Sequence, residues 1–280
     1  MDTVLEVDAL PRPGETVAAR TSSYAHGGKG ANQAVAAARL EAEVEFIGSV
    51  GSDAFGAELL GALADEGVGV GHVRRVDGAS GTAVVMVDRE GENSIVVSPG
   101  ANGRVELDDS DRDLLGRASI VLLQLEIPIA VVEEAARAAG GVVVLNAAPA
   151  APIPKQLADV VDVLVVNRQE LRSIAGDATP AAARSTGVDT VIVTFGAEGA
   201  QVVAAGDLAT YRPPAITVAD TTGAGDTFCG ALASGLDRGL DVFEATAEAV
   251  VAGALATTGL GARTAMPTLP RLTRAMGEYL

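Results

Sequence analysis

The sequence predicts an α/β protein of three layers, helix on sheet on helix, with a mostly parallel central sheet and a small accessory sheet. Three observations lead there. From about residue 44 onward, short β-branched apolar runs alternate with stretches of helical periodicity. Four of those runs, "SIVLLQL", "VVVLN", "DVLVVN" and "DTVIVTF", show no apolar/polar alternation, as expected of strands covered on both faces. Two regions, residues 3 to 23 and 81 to 98, break the rhythm and read as strand–turn–strand units.

In chain order, "TVLEVDALPRPGETVAARTSS" supplies the first such unit, turning at Pro13-Gly14. Residues 26 to 40, "HGGKGANQAVAAARL", place three glycines, a lysine and an asparagine directly before an alanine-rich helical run. "VEFIG" (44 to 48) reads as a strand, and "AFGAELLGALADEG" as a helix with Phe55, Leu59, Leu60 and Leu63 on one face. The second unit, "GTAVVMVDREGENSIVVS", turns at Glu90-Gly91-Glu92-Asn93. The four apolar runs and their helices follow, and the last quarter reads as helices over 226 to 238, 242 to 258 and about 268 to 279. No linker, repeat or low-complexity segment divides the chain, so residues 1 to 280 are expected to form a single domain.

Composition narrows the function. Lys plus Arg number 20 against 37 Asp plus Glu, a net charge of −17, which argues against a nucleic-acid partner. It does not bar an anionic small ligand, because backbone amides bind phosphate without net charge. The longest weakly apolar stretch, "AVVAGALATTGLGA", is mostly Ala, Gly and Thr and reads as a packed helix, so no membrane partner is expected. The N-terminal "MDTVLEVDALPRPGE" carries acids where a signal peptide needs bases, so the expected location is cytoplasmic. Cys229 is the one cysteine, which excludes an intramolecular disulfide and favours a small packed residue. His26 and His72 are too few for a His-rich metal site, and neither sits in a nucleophile elbow.

Two loops stand out. In "DTTGAGDTFCGALASGL", Phe228, Ala231, Leu232, Gly235 and Leu236 fall at helical spacing, so a helix starts near Asp226. Gly223, Ala224 and Gly225 then precede its first turn, where unobstructed amides and the helix dipole suit an anion. Asp226 beside them is either a proton acceptor for an attacking hydroxyl or a plain N-cap after a glycine turn. The second loop, "GGKGANQA", is not a P-loop, since Gly30 follows Lys29 where Ser or Thr is needed. Nor is it a dinucleotide fingerprint, since Gln33 holds the third glycine's place. Exposed backbone, an ammonium and a carboxamide suit a polyhydroxylated ligand, and equally suit a tight loop with a solvated lysine. Glu126 closes the strand "VLLQLE", at the carboxyl end where open α/β sheets place ligands. Asn167 and Glu170 in "NRQE" are either oxygen donors toward a hydrated Mg²⁺ or a helix cap. "TFGAEG" (194 to 199) either borders a nucleotide or joins two strands.

Together the two loops resemble the two signatures of the ribokinase, or PfkB, family of sugar kinases. "PGETV", "VGSDAFG", "GENSIVVSPGAN", "LQLEIP", "NAAPA", "VVNRQE" and "TFGAEG" fall between them in the family's order, so the resemblance covers nearly the whole chain. It implies a Rossmann-like, ribokinase-like fold whose accessory strands are a lid over the sugar and pair between subunits of a homodimer. It implies ATP-dependent phosphorylation of a sugar, D-ribose foremost. Asp2, Gly28, Lys29, Asn32 and Glu126 would contact the sugar hydroxyls, with Asp226 as the base and Gly223, Ala224 and Gly225 as the anion hole. Asn167 and Glu170 would serve Mg²⁺ and phosphate, and Thr194, Gly196 and Gly199 would border ATP. Asp220 and Thr222, with backbone near Ala256 and Gly261, would hold an activating K⁺; Ala265 stands where family members commonly carry a serine. The family's first core strand should precede Asp2, so the natural chain is expected to begin roughly a dozen or more residues upstream. Another pentose, a ketohexose or a nucleoside are the rival substrates, though aromatic residues at 3% leave little surface for stacking a base. A sugar-binding protein without turnover is the rival from another class.

Overall fold

A computed structural model describes residues 1–204 and 206–279. Its elements, in chain order, are β1 (Asp2–Glu6), β2 (Thr21–Ala25), α1 (Lys29–Arg39), β3 (Gly48–Gly51), α2 (Ala54–Asp65), β4 (Val73–Val76), β5 (Thr82–Val87) and β6 (Asn93–Ser98). There follow α3 (Asp109–Leu115), β7 (Ile120–Gln124), α4 (Ile129–Ala138), β8 (Val142–Asn146), α5 (Lys155–Ala158), β9 (Val163–Asn167), α6 (Arg168–Ala175) and α7 (Pro180–Arg184). The chain closes with β10 (Thr190–Thr194), β11 (Ala200–Val203), β12 (Leu208–Tyr211), α8 (Ala224–Asp237), α9 (Val242–Ala256) and α10 (Leu269–Tyr279).

The four apolar runs become β7, β8, β9 and β10, adjacent and parallel, and β11 and β12 extend the sheet antiparallel in the order β12-β11-β10-β9-β8-β7. Their lack of polar alternation has a direct cause. Along β9, Leu164 and Val166 face a core shared with Val132 of α4, Leu157 of α5 and Leu171 of α6. Val163 and Val165 face the opposite core, with Phe228 and Leu232 of α8, Ala249 of α9 and Leu272 of α10. Both faces are dry from residue 163 to 166, so those four positions are apolar. The result is the three-layer αβα arrangement the pattern predicts.

The two strand–turn–strand units pair as expected, β1 with β2 and β5 with β6, and the parallel pairing of β1 with β5 joins them into a four-stranded lid sheet. Asp88 Oδ1 accepts the amides of Glu90 and Glu92 and closes the β5–β6 turn. One strand moves. Residues 44 to 47 of "VEFIG" carry only an isolated bridge between Glu45 and Gly69, and the regular strand is β3, which starts at Gly48 and pairs with β4. Ladder pairing depends on the partner's position, which an apolar run does not encode. Glu126, expected at the end of its strand, lies two residues beyond β7. No helix among the described residues is long and apolar enough to cross a membrane.

Candidate active site

The site forms where α1 and α8 cross. Gly230 of α8 makes the close approach possible: a Cβ there would stand 2.5 Å from Gln33 O and 2.6 Å from the Ala36 Cβ. The two helices thereby bring their N-terminal loops, the pair singled out in the sequence, against each other.

α8 starts from Gly223, which sits at φ +75° with Ala262 O 2.5 Å from where a Cβ would stand, so both conformation and space require glycine. Ala224 donates its amide to Thr221 O at 3.2 Å, which removes it from the expected three-amide anion hole; the turn uses that donor internally. Gly223 and Gly225 remain on the wall of a cavity of about 140 Å³, shared with Lys29, Asn167, Glu170, Thr194 and Asp226. Nothing stands within 4 Å of a Cβ placed on Gly225.

Asp226, 8% exposed, lies in the first turn of α8, where the helix dipole favours an anion. It is no N-cap: Gly223 holds that place. Its Oδ2 accepts from Asn32 Nδ2 at 2.9 Å and its Oδ1 from Gln33 Nε2 at 3.2 Å. Burial raises its pKa, while Lys29, the two amide donors and Arg263 work in the opposite sense. Lys29 donates its backbone amide to Glu126 Oε2 at 2.8 Å. Glu126 and Asp2 are likewise raised, chiefly by desolvation; Asp226 adds to the rise of both and Asp2 to that of Glu126, while Lys29 opposes it at Glu126 and the N-terminus and Arg263 oppose it at Asp2. Asp2 packs on Gly27, where any Cβ would collide with its carboxylate. Gly28, at φ +88° with open space around it, begins α1. Asp2, Gly28, Lys29, Asn32, Glu126 and Asp226 therefore gather around one cleft.

Asn167 and Glu170 form a capping box on α6: Asn167 Oδ1 accepts the Glu170 amide at 2.8 Å and Glu170 Oε2 accepts the Asn167 amide at 2.7 Å. The helix-cap reading of "NRQE" holds, and the same two residues line the cavity. Burial raises Glu170 above the usual carboxylate range. Thr194 ends β10 beside them, and Gly196 and Gly199 shape the turn into β11, where a Cβ on Gly199 would strike Tyr211 O. That clash explains Gly199 by packing alone.

Asp220 is held above α8's start. Its Oδ1 accepts from Thr222 N at 2.8 Å and Thr222 Oγ1 at 2.7 Å, and its Oδ2 from Gly261 N at 2.8 Å. Burial opposes its charge, yet these donors together outweigh it and hold the carboxyl below its ordinary value. Asp220, Thr222 and Gly261 are thus in one cluster, and Asp220 N donates at 3.1 Å to the carbonyl of Thr257, the residue after Ala256 at the end of α9. Among the described residues no three His, Cys, Asp or Glu side chains group as a metal site. Cys229 is buried against the sheet, its thiol pushed well up by desolvation, in keeping with a packing role.

The site contains residues that the sequence did not single out. Gln33, fully buried, donates to Asn146 Oδ1 at 3.1 Å as well as to Asp226, and accepts from Gln124 Nε2 at 2.6 Å. Gln124 Nε2 also meets Leu122 O, and Asn146 Nδ2 meets Val165 O. Backbone carbonyls at both ends can only accept, so every amide between them has one allowed orientation, and Gln33 must present N–H to Asp226. The one signal available in the sequence was a polar pair, Asn32-Gln33, inside an otherwise alanine-rich run.

Comparison with known proteins agrees with this geometry. The pfkB family carbohydrate kinase pattern matches residues 1–269. The chain is 36% identical to a ribokinase of Haemophilus influenzae over 95% of its own length and 92% of the relative's. It is 33% identical to a deoxyribokinase of Salmonella typhi over 100% of its own length and 95% of the relative's. Among solved structures, Arabidopsis thaliana ribokinase complexed with ribose and ATP superposes with a TM-score of 0.92 at 35% identity, covering 98% of this chain and 95% of that one.

Proposed function

We propose that this chain, which belongs to the pfkB family of carbohydrate kinases, transfers the γ-phosphoryl group of ATP to the O5 hydroxyl of D-ribose, yielding ribose 5-phosphate and ADP. The observation that carries the reading is the meeting of the two loops: Asn32, from the lysine–asparagine loop, bonds Asp226 at 2.9 Å beside the open wall of Gly223 and Gly225. The ribokinase relatives, one of them bound to ribose and ATP, support ribose and ATP as the substrates.

The chain's residues divide the work. Asp2, Gly28, Lys29, Asn32 and Glu126 supply donors and acceptors for a sugar's hydroxyls and fix its orientation. Asp226 accepts the proton of the attacking hydroxyl; burial raises its pKa and thereby its basicity. The amides of Gly223 and Gly225, at the head of α8, face the charge that spreads over the moving phosphoryl group. Thr194 and the turn at Gly196 and Gly199 lie where ATP would approach.

Glu170 offers an oxygen at the cavity wall, so Asn167 and Glu170 fit a hydrated Mg²⁺, which when bound would neutralise phosphate charge. Asp220, Thr222 and Gly261, with Ala256 at the end of α9, offer oxygens of the kind a K⁺ ion takes, with no hydroxyl from Ala265. Tyr24 and Val96 are exposed on one face of the lid sheet and Ile95 and Val97 on the other, apolar surface that fits a homodimer joined through the lid strands. ATP as donor fits a cytoplasmic enzyme acting as one domain.

The deoxyribokinase relative favours one second reading, the same transfer to 2-deoxyribose. An ADP-release assay over ribose, 2-deoxyribose, other pentoses, ketohexoses and nucleosides, with and without K⁺, separates the readings. Ribose-dependent turnover as the highest kcat/KM supports the first. Binding without turnover on any of them would refute the kinase assignment.

A further inference from the structure

Arg263 lies between α9 and α10, outside both loops of the site. Its backbone is clipped by Arg39, whose Nη1 donates to Arg263 O at 2.5 Å while its Nε pairs with Glu66 at 2.8 Å. Its side chain crosses to α1, where Nε donates to Asn32 Oδ1 at 2.8 Å. Asn32 turns its other side to Asp226, Nδ2 donating to Oδ2 at 2.9 Å. A guanidinium has only donors, and an ionised carboxylate has only acceptors. Placed between them, the Asn32 amide has one orientation that satisfies both; the flipped form would set N–H against N–H and oxygen against oxygen.

Two further observations separate this from ordinary packing. Nη2 of Arg263 is buried with no acceptor among the described residues, an arrangement that opposes stability rather than adding to it. Asp2 and Asp226 also need positive charge close by, and Arg263 opposes the desolvation of both, alongside Lys29 at Asp226. We propose that Arg263 is a positioning residue for the phosphoryl transfer: it fixes the polarity of Asn32, which in turn holds Asp226 in place for the sugar hydroxyl. The proposal rests on the kinase reading given above.

A double-mutant cycle tests it, with wild type, Arg263→Met, Asn32→Ala and the double variant assayed for ribose turnover, and their thermal melting followed in parallel. A lost hydrogen bond to a charged group corresponds to a fall in kcat/KM for the sugar of roughly 10- to 100-fold in Arg263→Met. With Asn32 already removed, the arginine change should lower kcat/KM by less than about threefold. Arg263→Lys, which keeps a donor and the charge, should recover part of the loss and serves in the same cycle if the methionine variant does not fold. A folded Arg263 variant with wild-type kcat/KM, or losses that simply multiply with those of Asn32→Ala, overturns the role of Arg263 alone. A wild-type protein inactive on every sugar tested overturns the kinase reading, and this role with it.

Discussion

Gly230→Ala tests whether the crossing of α1 and α8 builds the site. The added Cβ would stand 2.5 Å from Gln33 O and 2.6 Å from the Ala36 Cβ, both parts of α1 that cannot swing aside. Ordinary contact needs about 3.5 Å, so the helices must part by roughly 1 Å. Asp226 lies one turn before Gly230 and Asn32 one turn before Ala36. The same parting would stretch the 2.9 Å bond between Asn32 and Asp226 beyond hydrogen-bonding reach. Overpacking of this kind costs about 1–3 kcal/mol, partly offset by the roughly 1 kcal/mol that alanine gains over glycine in a helix. The expected result is a melting temperature lower by a few degrees. A displacement of about 1 Å at the chemistry corresponds to as much as 100-fold in rate, so kcat/KM for ribose should fall between about 10- and 100-fold. Gly61→Ala is the control, because that position is in α2 with nothing within 4 Å of a Cβ; it should leave turnover intact and hold or raise the melting temperature. A Gly230→Ala enzyme with wild-type kcat/KM and the stability gain of the control would refute the reasoning.

Other outcomes follow from the same network. Gln33→Leu removes a donor that lowers the pKa of Asp226, so that pKa must rise; since the base works ionised, the acid limb of kcat/KM should move to higher pH, and an unmoved limb in a folded variant contradicts the role of Gln33. Asp111, a fully enclosed carboxylate, pairs with His72 at 2.8 Å and with Arg74, and accepts Asp108 N at 2.9 Å. Desolvation opposes its charge, but these partners together hold its pKa below the usual value, so its contribution to stability is present above the unfolded carboxylate pKa and is lost as pH falls through the lowered folded one. Asp111→Ala should therefore lower stability at neutral pH by about 1.5–3 kcal/mol, with that part of the acid dependence gone and turnover by the folded fraction kept; denaturant melts at neutral and acid pH measure both.

Much of the fold could be read along the chain because its signals are local. The doubly buried strands show as unbroken apolar runs, and the helices expected over 226 to 238 and 242 to 258 appear as Ala224–Asp237 and Val242–Ala256. The two glycine loops declared themselves by residue type. What the chain did not show is pairing across distance. The parallel register of β1 with β5 joins segments about eighty residues apart, and β3 lies four residues past the start of its apolar run because β4 sets its position. The polar relay through Gln33, Asn146 and Gln124 draws single amides from three elements, each unremarked in its own surroundings. Ala224 entered the expected anion hole because residue type cannot show that its amide is already spent on Thr221.

In the proposed mechanism Asp226 takes the proton from the sugar hydroxyl. Asp226→Asn keeps the size and most contacts of that side chain while removing the base, so ribose turnover and ribose affinity, the latter by calorimetry, should part company. The expected result is a fall in kcat of at least about 100-fold with ribose affinity changed by only a few fold. A variant that turns over ribose at close to the wild-type kcat would contradict it.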